Sequence, residues 1–494
     1  YTISDYGLNR IDVVTSGALD DDLYYMVGGY IKSSEGIRDA GFNSEQGNQF
    51  TVNITKVFEK GELNLYTRQT DDRGTWYLPT PLNVEGIDAN YTQIGPLNRQ
   101  GTITYGPNDT TESFDFGEGR GWDGHVSGGS IKLDLGNDWQ LVDRFNLTKG
   151  EANTFGLVPN GSATTVANVA DNGESATGAV TGTVYDGDTP IQQIGRWVVL
   201  KDIEAFTNDL AVSKSWEDFD TSFGIYSAST KANDWWSIGN TAYHVLQPGG
   251  ELLDGIECNT DAQGCDWNYD ISSVGDASTF AVYATGTWYA TTDLSIDLGL
   301  RRENHEVSYS VDEGLDGEIT KALEYDETKT SWTVGANYAL NDTSGVFVRM
   351  NRGYKMPYFD DFRDNWGAYT GGNDLIKEVT QGELGYKFMN DSIQFFATAF
   401  ANEVKGDTFV RRPGAPAEIL TNEAYGLELD GRYSHDSGFS LSVNATIQET
   451  EITASANNEG NESQRQPGWQ VRVTPSYGFD IGDMYATVYG TLSA

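Results

Sequence analysis

The chain has 494 residues, and its 73 acidic against 32 basic side chains give a formal net charge of −41. Such a charge excludes nucleic-acid binding, which depends on Lys and Arg neutralising phosphates. The mean hydropathy of −0.47 and the lack of an apolar run of about 18 residues exclude a helical membrane protein. The abundant glycines and aromatic residues instead indicate a folded, strand-rich protein.

From the beginning of the chain onward, the recurring element is a strand with alternating polar and apolar residues. Phe50, Val52 and Ile54 alternate with polar residues, and the same pattern recurs over 294–301, 331–340 and 440–448. One face of each strand suits lipid or a core, and the other suits water. These segments run to about 10–14 residues, longer than the strands of about 5–6 residues common in soluble proteins and long enough to cross a bilayer.

The connections between these strands fall into two classes. Short ones are rich in the Gly, Asn and Asp that tight hairpins need. They lie at 59–62, 136–138, 291–293, 341–343, 390–391 and 481–483, whereas long ones are predicted at 73–123, 151–190, 248–276, 309–327, 355–377 and 453–465. Short turns on one side and long loops on the other are typical of outer-membrane barrels. The predicted fold class is therefore all-β, a large antiparallel transmembrane β-barrel with about 19 strands in this sequence.

Several segments, in the same order along the chain, are similar to TonB-dependent outer-membrane receptors. They are residues 8–17, 23–30, 35–42, 349–357, 379–387 and 422–429, and the resemblance extends through essentially the whole chain. It implies a barrel of about 22 strands in the full protein, with an N-terminal plug that contacts TonB, and import driven by the inner-membrane proton gradient. Residues 1–494 would then be the barrel domain alone, with the plug and the last strands missing.

Loops that combine aromatic rings with carboxylates, amides and an arginine are the candidate ligand site. Ligand sites generally combine aromatic surfaces with a few convergent polar groups, and sugars bind through this combination. The candidates are Trp76, Tyr77, Trp122, Trp267, Tyr358, Asp360, Asp361, Arg363, Asn365 and Trp366. The alternative is that such aromatics belong to the girdle at the membrane interface, which is the assignment favoured for Trp235, Trp236 and Trp288.

The sequence predicts an importer located in the outer membrane of a Gram-negative bacterium. An oligosaccharide or other neutral polar ligand is favoured over a ferric siderophore, because an anionic chelate would prefer Lys and Arg, which are scarce here. A ferric-siderophore receptor and a passive porin remain open, as does, less favoured, a secreted soluble β-rich enzyme or adhesin. The expected partners are outer-membrane lipid and lipopolysaccharide, the TonB complex through the plug, and the ligand.

No set of residues predicts catalysis, so the chain is not expected to be an enzyme and no cofactor is expected. His125, His244, His305 and His435 are scattered and lack metal-site spacing, and no metal site is predicted. The Asp20–Asp22 and Asp186–Asp188 segments are interpreted as solvated turns rather than calcium ligands. The two cysteines, Cys258 and Cys265, are predicted to form a disulfide if the compartment is oxidising.

Overall fold

The computed structural model describes residues 1–82, 84–85, 87–88, 90–171, 173–256, 267–409 and 417–494. No helix in these ranges is long and apolar enough to cross a membrane. The strands, in chain order, are β1 (Thr2–Ile3), β2 (Asn9–Asp20), β3 (Leu23–Ser34), β4 (Glu45–Phe58), β5 (Gly61–Gly74), β6 (Gln100–Tyr105), β7 (Thr110–Asp115), β8 (Arg120–Gly136), β9 (Trp139–Thr165), β10 (Ser175–Gly178), β11 (Val184–Asp186), β12 (Pro190–Ser215), β13 (Phe219–Val245), β14 (Leu253–Asp254), β15 (Asn268–Tyr289), β16 (Leu294–Glu313), β17 (Lys321–Asn341), β18 (Ser344–Lys355), β19 (Lys377–Met389), β20 (Ile393–Phe409), β21 (Glu418–Ser434), β22 (Phe439–Ala454), β23 (Trp469–Ile481), β24 (Met484–Tyr489) and β25 (Leu492–Ser493). Two short α-helices, α1 (Phe359–Asp364) and α2 (Trp366–Thr370), lie between β18 and β19, and 3-10 turns occupy Phe116–Glu118 and Val166–Asn168.

One antiparallel sheet of 20 strands forms the wall of the molecule. Apart from β6, β7, β10, β11 and β14, which lie in loops, the strands pair in chain order, with β24 and β25 both on β23. The predicted antiparallel β-barrel fold is confirmed. The sheet has 20 strands, of which β1 and β25 are only two residues long, and this number agrees with the predicted count of about 19.

The connections alternate along the wall as the sequence predicts. All six predicted tight turns join neighbouring strands, for example β4 to β5 and β8 to β9. We call this side of the sheet the turn end and the opposite side the loop end. Asp20 to Asp22 also form a turn at the turn end, where the Lys56 ammonium lies 2.5 Å from the Asp22 carboxylate.

Several predicted long loops are wrong in extent, because the strands continue well past the length that a bilayer requires. β9 and β13 have 27 residues each and β12 has 26, whereas about 9–11 suffice to cross a membrane. Residues 151–165, 268–276, 309–313 and 321–327 were predicted as loop and are strand. These extensions at the loop end remain paired with one another, and packed segments cover both of their faces.

The two faces of the wall differ in polarity. Phe223, Phe280, Leu298 and Leu300 are all about half exposed and share one face, which we call the outer face. The opposite, inner face carries polar groups such as Tyr283, whose hydroxyl donates to the Asp209 carboxylate at 2.7 Å. An apolar outer band with a polar interior is the arrangement of a membrane barrel.

Two segments at the loop end pack on opposite faces of the wall. Residues 356–376, here called the helical loop, contain α1 and α2 and lie on the inner face against β13 and β15 to β17. Residues 99–118, here called the outer hairpin, contain β6 and β7 and lie on the outer face against β9, β12 and β13. A third cluster joins residues 166–185 to the ends of β12 and β13.

This packing corrects two of the three tryptophans assigned to the interfacial girdle. Trp236 faces the inner side, where the Arg363 guanidinium lies 4.1 Å from its ring centroid. Trp235 faces outward but is covered by Tyr105 of the outer hairpin, with the ring centroids 4.9 Å apart. Trp288 is half exposed on the outer face at the turn end. The strand pattern gives the face of each residue but not the segment that covers it.

Candidate functional site

The helical loop is anchored on the inner face by two aromatic side chains. Phe362 is fully buried, and the Phe359 ring lies against Gly275 of β15. A Cβ atom at Gly275 would come within 2.3 Å of that ring, so only glycine allows this close approach. At the start of α1 the Tyr358 amide donates to the Asp361 carboxylate at 3.0 Å, which fixes the first turn.

A network of charged side chains ties the helical loop to the wall. The Arg363 side chain is only 6% exposed, and it contacts the carboxylates of Asp360 and Asp364, each at 2.8 Å. The Lys201 ammonium of β12 lies 3.1 Å from the Asp234 carboxylate of β13 and 3.2 Å from Asp360. The Arg363 guanidinium also lies 3.7 Å from the Asp234 carboxylate, so Lys201 and Arg363 each contact carboxylates of both the wall and the loop.

The two carboxylates at the centre of this network respond differently to their surroundings. Burial raises the pKa of Asp234, although Lys201 and Arg363 act in the opposite direction. Burial also acts to raise the pKa of Asp360, but the charges of Arg363 and Lys201 outweigh it and lower that pKa. The Asp234 Oδ1 atom is buried and has no hydrogen-bond partner in the described part of the chain. Asp234 therefore depends on its cations more than the half-exposed Asp360 does.

His305 fixes the point where the chain enters the helical loop. Its Nε2 atom lies 3.0 Å from the Pro357 carbonyl, so Nε2 carries the proton and donates it. Its Nδ1 atom then accepts from the Thr279 hydroxyl at 2.8 Å. Burial lowers the pKa of His305, which favours this neutral form.

A second group of aromatic and basic residues lies on the inner face near β8, β9 and β12. The Trp76 and Trp197 rings meet edge to face, with their centroids 6.1 Å apart. The Arg120 guanidinium lies 4.1 Å from the Trp76 ring centroid, within the range of a cation–π contact. Trp122, two residues along β8, is partly buried and packs against Gly124 and Gly150.

The structure brings most of the predicted site residues into these two groups. The helical loop holds six of them, namely Tyr358, Asp360, Asp361, Arg363, Asn365 and Trp366, and the second group holds Trp76, Tyr77 and Trp122. Strand β12 links the groups, because its Trp197 contacts Trp76 and its Lys201 contacts Asp360. Trp267 lies apart from both, immediately before β15, where its carbonyl accepts from the Asn240 amide.

Burial separates anchoring residues from those that a ligand can reach. Arg363 and Asn365 are buried, so they stabilise the helical loop. Tyr358 and Asp360 are exposed, and Trp366 is partly exposed. Sequence reasoning missed Lys201, Asp234, Trp197 and Arg120, whose only signal was a charged or aromatic residue in the inward-facing alternation of a strand.

Other predicted features lie elsewhere in the chain. Cys258 and Cys265 fall outside the described residues, so their disulfide stays a prediction. Within the ranges that the structure describes, no group of three or more His, Cys, Asp or Glu side chains is arranged to hold a metal ion. The Asp186 carboxylate accepts from the Asp188 amide at 3.2 Å, as in a closed turn.

His244 makes the loop end sensitive to acid. It is fully buried on β13, neither ring nitrogen has a hydrogen-bond partner among the described residues, and burial lowers its pKa to about 4. The folded state therefore binds fewer protons than the unfolded state below pH 6.5. The stability present above pH 6.5 should fall by roughly 3 kcal/mol as the pH drops from 6.5 to about 4. Hydrogen exchange of residues 243–256 should show this loss, and His244→Leu should largely remove it; the same pH dependence in His244→Leu would contradict the assignment.

Comparison with known proteins identifies the family of the chain and several relatives. A family model described as "TonB dependent receptor-like, beta-barrel" matches residues 60–493. The chain is 25% identical to the pesticin receptor of Yersinia pestis over 236 residues, which cover 45% of this chain and 33% of that protein. It is 25% identical to the rhizobactin receptor of Rhizobium meliloti (strain 1021) over 211 residues, which cover 36% of this chain and 28% of that protein. The chain thus covers about a third of the length of these relatives.

Solved structures share the fold at lower identity. The ferric yersiniabactin uptake receptor FyuA from Yersinia pestis superposes with a TM-score of 0.67 at 14% identity, covering 98% of this chain and 66% of that one. The ferric-catecholate import receptor Fiu from E. coli K12, in its closed form, gives a TM-score of 0.61 at 13% identity, covering 96% and 67%. At these identities the likeness concerns the fold alone.

Proposed function

Because the chain belongs to the TonB-dependent receptor-like β-barrel family, we propose that it is the barrel of an outer-membrane transporter that imports a ferric siderophore. The family is found in the outer membrane of Gram-negative bacteria. The proteins that this chain resembles are receptors and transporters rather than enzymes. We propose the same location for this chain, the TonB complex as its source of energy, and no catalytic activity of its own.

Four arginines on the inner face favour an anionic ligand. Arg68, Arg120, Arg144 and Arg349 alternate along their strands with outward residues such as Phe145 and Val348. None of the four forms a salt bridge with a described residue. An interior with unpaired cations attracts an anionic ligand, even though the net charge of the chain is −41.

The proteins that the chain resembles support the same choice. The names of two of the structures that share its fold include ferric yersiniabactin and ferric catecholate. The scarcity of Lys and Arg, which favoured a neutral oligosaccharide from the sequence, concerns the whole chain, whereas a ligand meets only the inner face. We therefore favour the ferric siderophore, and we propose that it contacts Trp76, Trp122 and Arg120, together with the aromatic rings of Tyr358 and Trp366 in the helical loop.

Uptake of radioactive iron tests this proposal. The full gene product, expressed in a Gram-negative host that lacks its own siderophore receptors, should import iron supplied as an anionic catecholate or carboxylate chelate. A protonophore should abolish this uptake. Uptake that persists without the proton gradient would instead establish a passive porin, and entry of a neutral oligosaccharide with no iron uptake would establish the importer favoured from the sequence.

A pair of variants tests the proposed contacts. Arg120→Gln removes an inner-face cation and should weaken chelate binding by about tenfold, which corresponds to about 1.4 kcal/mol. Lys149→Gln is the matched control, because Lys149 lies on the neighbouring strand β9 but pairs with Glu204 on the outer face, 3.3 Å away. Equal affinities of the two variants, measured by tryptophan fluorescence in detergent, would reject Arg120 as a contact.

A further inference from the structure

A cavity separate from the groups described above lies at the loop end, between β20, β21 and β22 and the segment 455–468. Its floor includes Asn402, Asn422 and Gln448, and its wall includes Asn461, Gln464 and Gln466. The cavity has a volume of about 480 Å³, within the range of roughly 300–1,000 Å³ in which small-molecule sites fall. It is therefore large enough for a ligand of several sugar units or comparable size.

The wall of this cavity is held in place by hydrogen bonds to the strands below. The Glu418 carboxylate accepts from the Ser455 hydroxyl, and from the Asn458 amide group at 2.8 Å. The Ser463 amide donates to the Thr450 hydroxyl at 3.1 Å, and the Gln448 side chain donates to the Pro467 carbonyl at 3.0 Å. The segment 455–468 therefore folds back along β22 and forms one wall of the cavity.

The described part of the lining is rich in amides. Besides seven Asn and Gln residues it contains the carboxylates of Asp407, Glu423 and Glu462, and none of the described lining residues is Lys, Arg or His. Asp407 is already satisfied, because the Lys377 ammonium donates to it at 2.7 Å and the Asn422 amide at 3.0 Å. The remaining carboxylates would repel an anion, so the ferric chelate proposed above does not suit this cavity.

Four of the lining amides are available to a ligand among the described residues. The side chains of Asn402, Asn461, Gln464 and Gln466 make no hydrogen bond with another described residue. Each offers both donors and an acceptor, the combination that a hydroxyl group, itself a donor and an acceptor, can satisfy. The apolar side chains of Phe409 and Leu420 lie beside them and can cover the C–H surface of a ring.

We infer that this cavity binds a neutral, hydroxyl-rich ligand of the carbohydrate class, at a site distinct from that of the anionic chelate. The inference rests on the cavity itself and holds whether or not the chain imports iron. The sequence analysis also favoured a sugar ligand, but at the aromatic loops. Here the sugar is proposed to bind to amides on β20 to β22 and in the segment 455–468.

Titration with three trisaccharides tests this inference. Maltotriose is neutral, trigalacturonic acid is anionic and chitotriose with free amino groups is cationic, and each would be titrated by calorimetry into the full-length protein. The detergent must lack a sugar head group, since a maltoside would occupy the site. We expect saturable binding of maltotriose at millimolar or lower concentration and none of trigalacturonic acid. Preferred binding of the anionic sugar, or binding of none of the three, would overturn the inference.

Two substitutions locate the binding. Asn402→Leu and Gln466→Leu remove amides that make no hydrogen bond with another described residue, so the segment 455–468 should stay folded, and each should weaken maltotriose binding about tenfold. Gln394→Leu is the matched control, because Gln394 lies on the same strand near the turn end, far from the cavity. Maltotriose binding that neither Asn402→Leu nor Gln466→Leu weakens would show that the sugar binds elsewhere and would refute the assignment. Retained iron uptake in these variants would show that the two sites are separate.

Discussion

Replacing Arg363 by alanine should detach the helical loop from the wall while leaving the barrel intact. The substitution leaves Asp234 and Asp360 with Lys201 alone, and Asp234 is 3% exposed with one oxygen already unpaired. Removing one partner of a buried ion pair costs about 3–5 kcal/mol, because the remaining charge stays buried without compensation. Hydrogen exchange of residues 356–376 should accelerate by two orders of magnitude or more, since each 1.4 kcal/mol is a factor of ten.

Two further variants test whether the effect of Arg363→Ala depends on the burial and the charge of the ion pair. Arg352→Ala breaks the Arg352–Glu378 pair, which lies on the outer side of the wall with the arginine side chain 42% exposed, and it should change exchange in the helical loop very little. The double variant Arg363→Met, Asp234→Asn should recover part of the protection, because it removes the unpaired charge together with its partner. Unchanged exchange in Arg363→Ala would show that Phe359 and Phe362 hold the loop without the charge network.

Replacing Phe116 by alanine should release the outer hairpin. The Phe116 side chain is 1% exposed and packs with Ile103, Phe155 and Val198 between the hairpin and the outer face. A buried phenylalanine replaced by alanine costs about 3–5 kcal/mol through lost burial and the cavity left behind. Protease added to intact cells should then cleave within residues 99–118, a segment that should resist cleavage in the parent protein.

Hydrogen bonds between the outer hairpin and the strand ends should limit how far the hairpin moves away from the wall. The Asn268 amide group donates to the Thr104 carbonyl at 2.8 Å, and the Thr104 amide donates to the Asn240 side chain at 2.6 Å. These bonds should keep the tip of the hairpin near β13 and β15 for part of the time. Phe280→Ala is the control, because Phe280 is half exposed on the outer face and its loss should leave the hairpin protected. Equal cleavage of both variants would mean that the Phe116 cluster does not hold the hairpin.

The features that sequence analysis predicted correctly are local ones. Alternation of polar and apolar residues marks a strand with two different faces, and Leu298 and Leu300 lie on the outer face as that pattern requires. Short turns were found because residues such as Asn137 and Asp138 occupy positive φ, which few residue types tolerate. The aromatic and charged segment 358–366 was also identified from its composition.

The errors concern strand ends and residues whose partners are distant in the sequence. The alternation does not show that β9, β12 and β13 continue beyond the membrane, because a paired strand has the same alternation of polar and apolar residues outside and inside the bilayer. The turn at 106–109, which closes the outer hairpin, lies in a segment predicted only as a loop. Trp235 and Trp236 were assigned to the membrane interface because the sequence does not show which segment packs over them.

The sequence by itself determined the class of fold, the two-sided strands and the positions of the tight turns, since each depends on residues that are close together in the chain. Only the tertiary structure decided that Lys201 and Asp234 meet Asp360 and Arg363, which are separated from them by more than a hundred residues. It also decided which arginines face the interior without a salt bridge to a described residue, and that amides of three strands line a cavity. Strand register, loop packing and burial set these contacts, and all three are properties of the assembled sheet.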